Sequence, residues 1–302
     1  MTNITKIIKF QNFDNIAQNK TLIISPDYDL ELDGNFLLEC DKIIFSDYKV
    51  FYSHFGPEDD LFELYNQNIF HNMWYVKSVF KRTYNKSKFN KSVDNLPTHI
   101  IHLIFGYKFN QKVDNLPNSL THLALGYKFN QSVDNLPNSL THLALGYEFN
   151  QKIDNLPSSI IDLTLSHNFS QEANNLPQYL THLTFGNNFN KKVKNLPNTL
   201  TSLSFGNDFN QKVNNLPQNI THLKFRNNFN QVINNFSESL THLTFGNRFN
   251  QKLDNLPQII THLVVGNNFN QELNIDLNKV NFFKFEKKDK SKQNYTHRWE
   301  YD

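Results

Sequence analysis

Leu-Pro recurs every 20 residues along most of this chain, at Leu96-Pro97, Leu116-Pro117, Leu136-Pro137, Leu156-Pro157, Leu176-Pro177, Leu196-Pro197 and Leu216-Pro217. It lapses to Phe236-Ser237 and returns at Leu256-Pro257. Phe-Asn keeps the same step from Phe89-Asn90 to Phe269-Asn270, with Phe169-Ser170 as its one lapse. A globular domain has no reason to hold one spacing through nine units, whereas stacked units that bury a shared core do. The period therefore predicts a solenoid. The turn-forming residues obey it too. Seven of nine glycines and eight of ten prolines fall at single repeat positions, leaving only Gly34, Gly56, Pro26 and Pro57 elsewhere. No glycines remain for a phosphate-cradling loop or a dinucleotide fingerprint, which argues against nucleotide chemistry.

Residues 115–134, NLPNSLTHLALGYKFNQSVD, represent the unit. Its apolar positions are Leu116, Leu120, Leu123, Leu125, Phe129 and Val133. The Leu123/Leu125 alternation reads as a short strand, so His122, Ala124 and Gly126 point to the opposite face. Pro117 has no N–H for a ladder and belongs to the return path. Twenty residues are too few for a strand, two turns and a full helix, so the return is expected to be extended or turn-like, with at most a turn of 3₁₀. Strand 121–125 should pair in parallel with 141–145 and so on at about 4.8 Å, giving an array of nine rungs roughly 40 Å long. Asn115 and Asn130, with their equivalents, are expected to turn inward and satisfy turn backbone groups, because an amide both donates and accepts.

The run LPxxLTxLxLGxxFNxxVDN is similar to the leucine-rich repeat. SLTHLALGYKFNQSVDNLP, as it stands here, resembles the unit of FNIP-repeat proteins position by position across residues 89–274. The resemblance implies a leucine-rich-repeat-like right-handed solenoid with a parallel sheet on its concave face. It implies intracellular roles in protein interaction, as in members from amoebae and their large DNA viruses. Some members add an N-terminal F-box that recruits a ubiquitin ligase, but residues 1–30 lack the early LP-x-x-hydrophobic helix that opens one. Residues 1–88 instead predict a small α+β cap. Asp29–Glu39 carries a DG hairpin signal, Lys42–Tyr52 a strand, and Pro57–Phe70 a helix start with proline and acids in its first turn. After the array, Leu277, Val280 and Phe282 repeat the strand spacing following a shortened turn, so 275–302 predicts a capping strand and a charged tail.

Composition bounds the function. Lysine plus arginine number 30 against 28 acids, a balance that excludes a strongly basic nucleic-acid binder. Apolar runs reach only three or four residues, as at Leu22–Ile24, far short of the ~20 that span a bilayer. The first fifteen residues carry no leader-like apolar stretch, and Cys40 stands alone, so an intracellular, cytoplasmic protein is expected. There is no HExxH, no nucleophile–base spacing and no carboxylate pair, so neither catalysis nor a cofactor is expected.

What remains is a surface. Seven of twelve histidines share one repeat position, at His102, His122, His142, His182, His222, His242 and His262, with Asp162 and Ser202 in the gaps. By the alternation they line the exposed concave sheet. Three readings stay open: stacking inherited with the copied unit, a partner-binding or pH-sensitive row, and a metal site. Charged imidazoles about 5 Å apart would repel by roughly 1–3 kcal/mol, so the row should be mostly neutral at pH 7. His142, Asp162 and His182 match a two-His, one-carboxylate set in type, but the outer two lie almost 10 Å apart by rung spacing. The neighbouring strip changes from rung to rung: Ile104, Ala124, Ala144, Thr164, Thr184, Ser204, Lys224, Thr244, Val264. Tyr107, Tyr127 and Tyr147, beside Lys108 and Lys128, make the preferred contact patch, since tyrosine is enriched at interfaces. The expected function is a non-enzymatic scaffold for an unidentified protein partner, host proteins included. A ubiquitin-ligase adaptor acting through residues 1–88 is the alternative.

Overall fold

A computed structural model describes residues 87–273 except 214, together with strands at 21–24, 42–45 and 282–285. Within these residues every element is a short strand. β1 is Thr21–Ile24, β2 Lys42–Phe45, β3 His102–Ile104, β4 His122–Ala124, β5 His142–Ala144 and β6 Asp162–Thr164. β7 is His182–Thr184, β8 Ser202–Ser204, β9 His222–Lys224, β10 His242–Thr244, β11 His262–Val265 and β12 Phe282–Phe285. They form one 12-stranded sheet in sequence order, and each adjacent pair is parallel. His122 stands opposite His142 and Leu123 opposite Leu143, so each turn of the chain advances the sheet by one strand at constant register.

Each rung closes with two tight turns. Leu120 N–H donates to Pro117 O at 3.0 Å, and Phe129 N–H to Gly126 O at 3.1 Å. Proline's missing N–H is harmless at the first residue of the turn, where only its carbonyl is used. The turns are knit to the next rung as well: Lys128 N–H reaches Tyr107 O at 2.9 Å, and Glu148 N–H reaches Tyr127 O at 2.9 Å. Gly126 lies under this close approach. A Cβ built on it would fall 1.8 Å from Gly106 O, which is why glycine dominates the position.

The six apolar positions read from the unit all point inward. Leu120, Leu123, Leu125 and Phe129 are fully buried, Val133 is 1% exposed and Leu116 7%. Ten phenylalanines, from Phe89 to Phe269 in steps of 20, stack along the whole array with ring centres 6.0–6.4 Å apart. A second column, Phe185, Phe205, Phe225 and Phe245, lies nearer the sheet at 5.1–5.6 Å spacing and packs against the first at 3.7–4.1 Å. On the opposite face of the sheet the imidazoles stack at 4.0–4.1 Å. Equivalent atoms thus crowd together on the histidine side and spread apart on the phenylalanine side of a backbone whose strands sit about 4.8 Å apart. The solenoid bends toward its histidines.

The asparagine expectation divides in two. Asn110 Oδ1 accepts the N–H of Asn130 at 2.9 Å and Gln131 Nε2 at 3.2 Å, and the pattern repeats from rung to rung. That row does serve turn backbone. The Asn115 row does not turn inward: Asn115, Asn135 and Asn155 are exposed, and their amides donate to Asp94, Asp114 and Asp134 of the preceding rung. The turn beneath is closed by its own backbone bonds and needs no side-chain amide. Ser170 interrupts the first row. Its N–H donates to Asn150 Oδ1 at 2.9 Å, but it has no amide oxygen to offer Asn190. Ser170→Asn is therefore expected to raise stability by about 0.5–1 kcal/mol, the net worth of one such bond. A urea midpoint that does not rise would remove the ladder's energetic role.

The ends differ from expectation in register. β12 pairs with β11 as His262↔Phe282 and Leu263↔Phe283, a full 20-residue step rather than a shortened one. Phe283 and Phe285, not Val280 and Phe282, hold the places of Leu263 and Val265. The ladder sets this register and overrides the leucine-like spacing three residues earlier. At the other end β1 and β2 pair in parallel one 21-residue step apart and continue the sheet into β3. β2 occupies the start of the expected 42–52 strand. The DG hairpin at 29–39, the helix at 57–70 and the charged tail at 287–293 lie outside the described residues.

Candidate functional site

The sheet's outer face carries two aromatic columns. His102, His122 and His142 form one histidine stack, and His222, His242 and His262 another, with ring centres 4.0–4.1 Å apart. Asp162, His182 and Ser202 separate them. The rings are half-buried rather than fully open, and only His222 is exposed. Six of the seven histidines follow a threonine whose hydroxyl lies 2.8–2.9 Å from the imidazole Nδ1. The same hydroxyl lies 3.0–3.3 Å from a carbonyl of the preceding rung. His102 follows Ile101, which has no hydroxyl. Its ring tilts 45° to His122, whereas the threonine-held pairs lie within 7–14° of parallel.

Tyr107, Tyr127 and Tyr147 stack at 4.6 and 4.4 Å, and His167 extends the column at 4.2 Å from Tyr147. His167 stands at the repeat position of the three tyrosines, and its flat imidazole serves as the fourth ring of the column. The shared repeat position was the signal. Lys128 pairs with Glu148, and its ammonium lies 5.7 Å from the Tyr127 ring centre. The strip between the columns is less open than its variability suggests. Ala124 and Ala144 are buried, because a methyl group between two rows of rings is shielded on both sides. Lys224 is exposed.

Parallel imidazoles direct their ring nitrogens side by side, not toward a common point, so the stacks are poor chelators. Among the described residues no group of three or more His, Cys, Asp or Glu side chains is placed to hold a metal ion. Their titration is shifted all the same. Burial pulls His142 below the ordinary histidine value, with the His182 charge adding to the shift and Asp162 opposing it. Burial also lowers His222 and His242, each further depressed by neighbouring imidazoles. A folded pKa below the unfolded one means the unfolded chain binds more protons. The stabilisation is complete above the unfolded value, about 6.5, and is lost as pH falls through the lower folded values. Tm should therefore hold above pH 7 and decline between about pH 6.5 and 5, before carboxylates titrate. A Tm that is flat or rises in that window would contradict the assignment.

A parallel sheet built one strand per 20-residue turn, backed by a leucine and phenylalanine core, defines a solenoid of the leucine-rich-repeat type. The chain is a FNIP-repeat protein: the FNIP Repeat family model matches residues 89–128, 112–148, 129–168, 167–208 and 249–277. Among solved structures it is similar to CroV588, a giant-virus protein described as a novel circular LRR protein structure. Identity is 45% and the TM-score 0.61, over 66% of this chain and 32% of CroV588, so the match spans about a third of that protein's length. No curated protein matches the chain. Among the described residues no helix is long and apolar enough to cross a membrane.

Proposed function

We propose that the protein is a non-catalytic binding scaffold that engages a partner protein through the histidine side of its sheet, with Tyr107, Tyr127 and Tyr147 as the contact edge. One observation carries this reading: two columns of flat aromatic rings are turned outward from a core whose inward residues hardly vary. Stacking occupies the tyrosine faces, so the column offers a partner its ring edges and hydroxyls. Tyrosine combines apolar area with a hydrogen-bonding tip at low entropic cost, the usual profile of an interface anchor. The ligase-adaptor alternative rests on residues 1–88, most of which lie outside the described residues, and nothing described favours it.

Capture with the full chain supplies the partner, and the affinity of that purified partner is then measured against variants. Replacing all three tyrosines by alanine should weaken binding at least tenfold. Replacing all three by phenylalanine keeps the stack and removes only the hydroxyls, and should also weaken it. Unchanged affinity in the phenylalanine variant, with its melting behaviour intact, would remove the tyrosine edge from the site.

A further inference from the structure

Among the described residues four large apolar side chains are exposed: Ile161, Tyr179, Val232 and Ile259. Two of them meet. Ile161 stands directly before β6, at a position where seven of nine rungs carry threonine, and it is 36% exposed. Tyr179 stands one rung on, ahead of β7, and is 65% exposed. Ser119, Ser139, Ser159 and Thr199 hold Tyr179's position on other rungs. Each donates its hydroxyl to the carbonyl 19 residues earlier, on the preceding rung, at 2.6–2.7 Å. For Tyr179 the equivalent carbonyl is that of Ile160, in the peptide that joins it to Ile161. The repeat therefore places Tyr179 beside Ile161.

Both residues forgo a hydrogen bond that the repeat makes elsewhere. Thr121 and Thr141 donate their hydroxyls to carbonyls of the preceding rung at 3.1 Å, and Thr181 donates to Ile161 O at 3.0 Å. Ile161 has no hydroxyl to donate. Tyr179 carries its hydroxyl at the far end of a ring, out of reach of the carbonyl that a serine meets. Both exchanges thus weaken the stack, and what they add is apolar surface in water. Single exposed apolar residues are ordinary on a protein surface. Two exchanges side by side, each at the expense of a ladder bond, make one patch that the fold itself does not need.

We propose that Ile161 and Tyr179 form an anchoring site for one apolar side chain in a short linear segment of a partner protein. The proposal rests on the reading of the protein as a binding scaffold and adds a second contact, on the other border of the sheet. Tyr107, Tyr127 and Tyr147 follow the ends of their strands, whereas Ile161 and Tyr179 precede the starts of theirs. Area selects the occupant. The two side chains together expose roughly 200 Å². Each partner in a stable interface buries about 800 Å². The patch is therefore too small to hold a second copy of this chain and matches one leucine- or phenylalanine-sized side chain.

The ring of Tyr179 supplies an apolar floor, and its hydroxyl, at the outer rim, can bond the backbone of the segment. Ile259 marks the contrast. It occupies Tyr179's repeat position four rungs further on and is 50% exposed, but the residue at the Ile161 position beside it is Thr241. It has no apolar partner there and so serves as the control.

The test reverts the pair to the repeat, Ile161→Thr with Tyr179→Ser, in the full chain. Dodecapeptides selected on the wild-type protein from a random phage-displayed library are the probe, with affinities read by fluorescence anisotropy. At least one selected peptide should bind the reverted protein tenfold or more weakly and the Ile259→Ser variant equally well. Truncating one apolar side chain of that peptide should cause the same loss. The urea midpoint of the reverted protein should rise, because two ladder bonds are restored. Equal binding of every selected peptide to wild-type and reverted protein, or no selected peptide at all, overturns the site. A lower urea midpoint also overturns it, since the two residues would then serve the fold. Dimerisation of the wild type that reversion abolishes overturns it in favour of a second copy. Peptides that need the patch should bind the tyrosine-to-phenylalanine variant normally, so failure here leaves the tyrosine edge standing and failure there leaves this site standing.

Discussion

Phe209→Ala is expected to destabilise the protein by about 3–5 kcal/mol, the range for emptying a fully buried aromatic site. Phe209 has no solvent exposure and touches both phenylalanine columns: Phe205 at 3.9 Å, Phe189 and Phe229 at 6.1 Å, and Phe225 at 6.3 Å between ring centres. Its neighbours cannot collapse into the gap, because each is held at its own level by a tight turn and a strand. The urea midpoint reads the loss. A cost below about 1 kcal/mol would show that the spine relaxes, contrary to the rigid spacing seen along it.

Leu163→Asp should do more than lower stability. Leu163 is fully buried and faces Leu143 and Leu183 in the ladder, inside a core of leucine and phenylalanine. An unpaired carboxylate there costs several kcal/mol or forces local opening. Because each rung touches only its neighbours, the damage should stay in the middle, and the array should unfold in two transitions instead of one. Amide exchange resolves this directly: protection should be lost around β5–β7 and persist near β3 and β10. Uniform loss along the chain would mean that the rungs melt as one unit.

The repeat made most of this fold legible, for a physical reason. A residue's place in the 20-residue unit determines which way it points, so Leu123, Phe129 and the histidine row could be assigned from one unit and copied to the rest. What the period could not reveal depends on neighbours outside the unit. Ala124 looks exposed by alternation and is buried because flanking rings screen it. Asn115 looks inward by its constancy and is exposed, since a carboxylate one rung below satisfies it. His102 looks like its six counterparts, but its ring is tilted where Ile101 replaces threonine. The β12 register is ambiguous in the sequence because two leucine-like spacings overlap there, and only the ladder decides between them. Of the candidate site, the two columns were readable, while the threonine hydroxyls that hold the imidazoles parallel needed the hydrogen bonds to be seen.

The gradient in ring spacing makes the solenoid behave like a bimetal strip. Two bonded layers of different natural length must curl, and here the phenylalanine layer demands about 6 Å per level where the amide ladder allows about 4.8 Å. The mismatch recurs with little change from Phe89 to Phe269, so curl is dealt out evenly. Copy number and radius are then independent quantities. Duplicating or deleting a unit changes how far around the arc the chain travels, and leaves the tightness of the bend to the size of the residues in the outer layer.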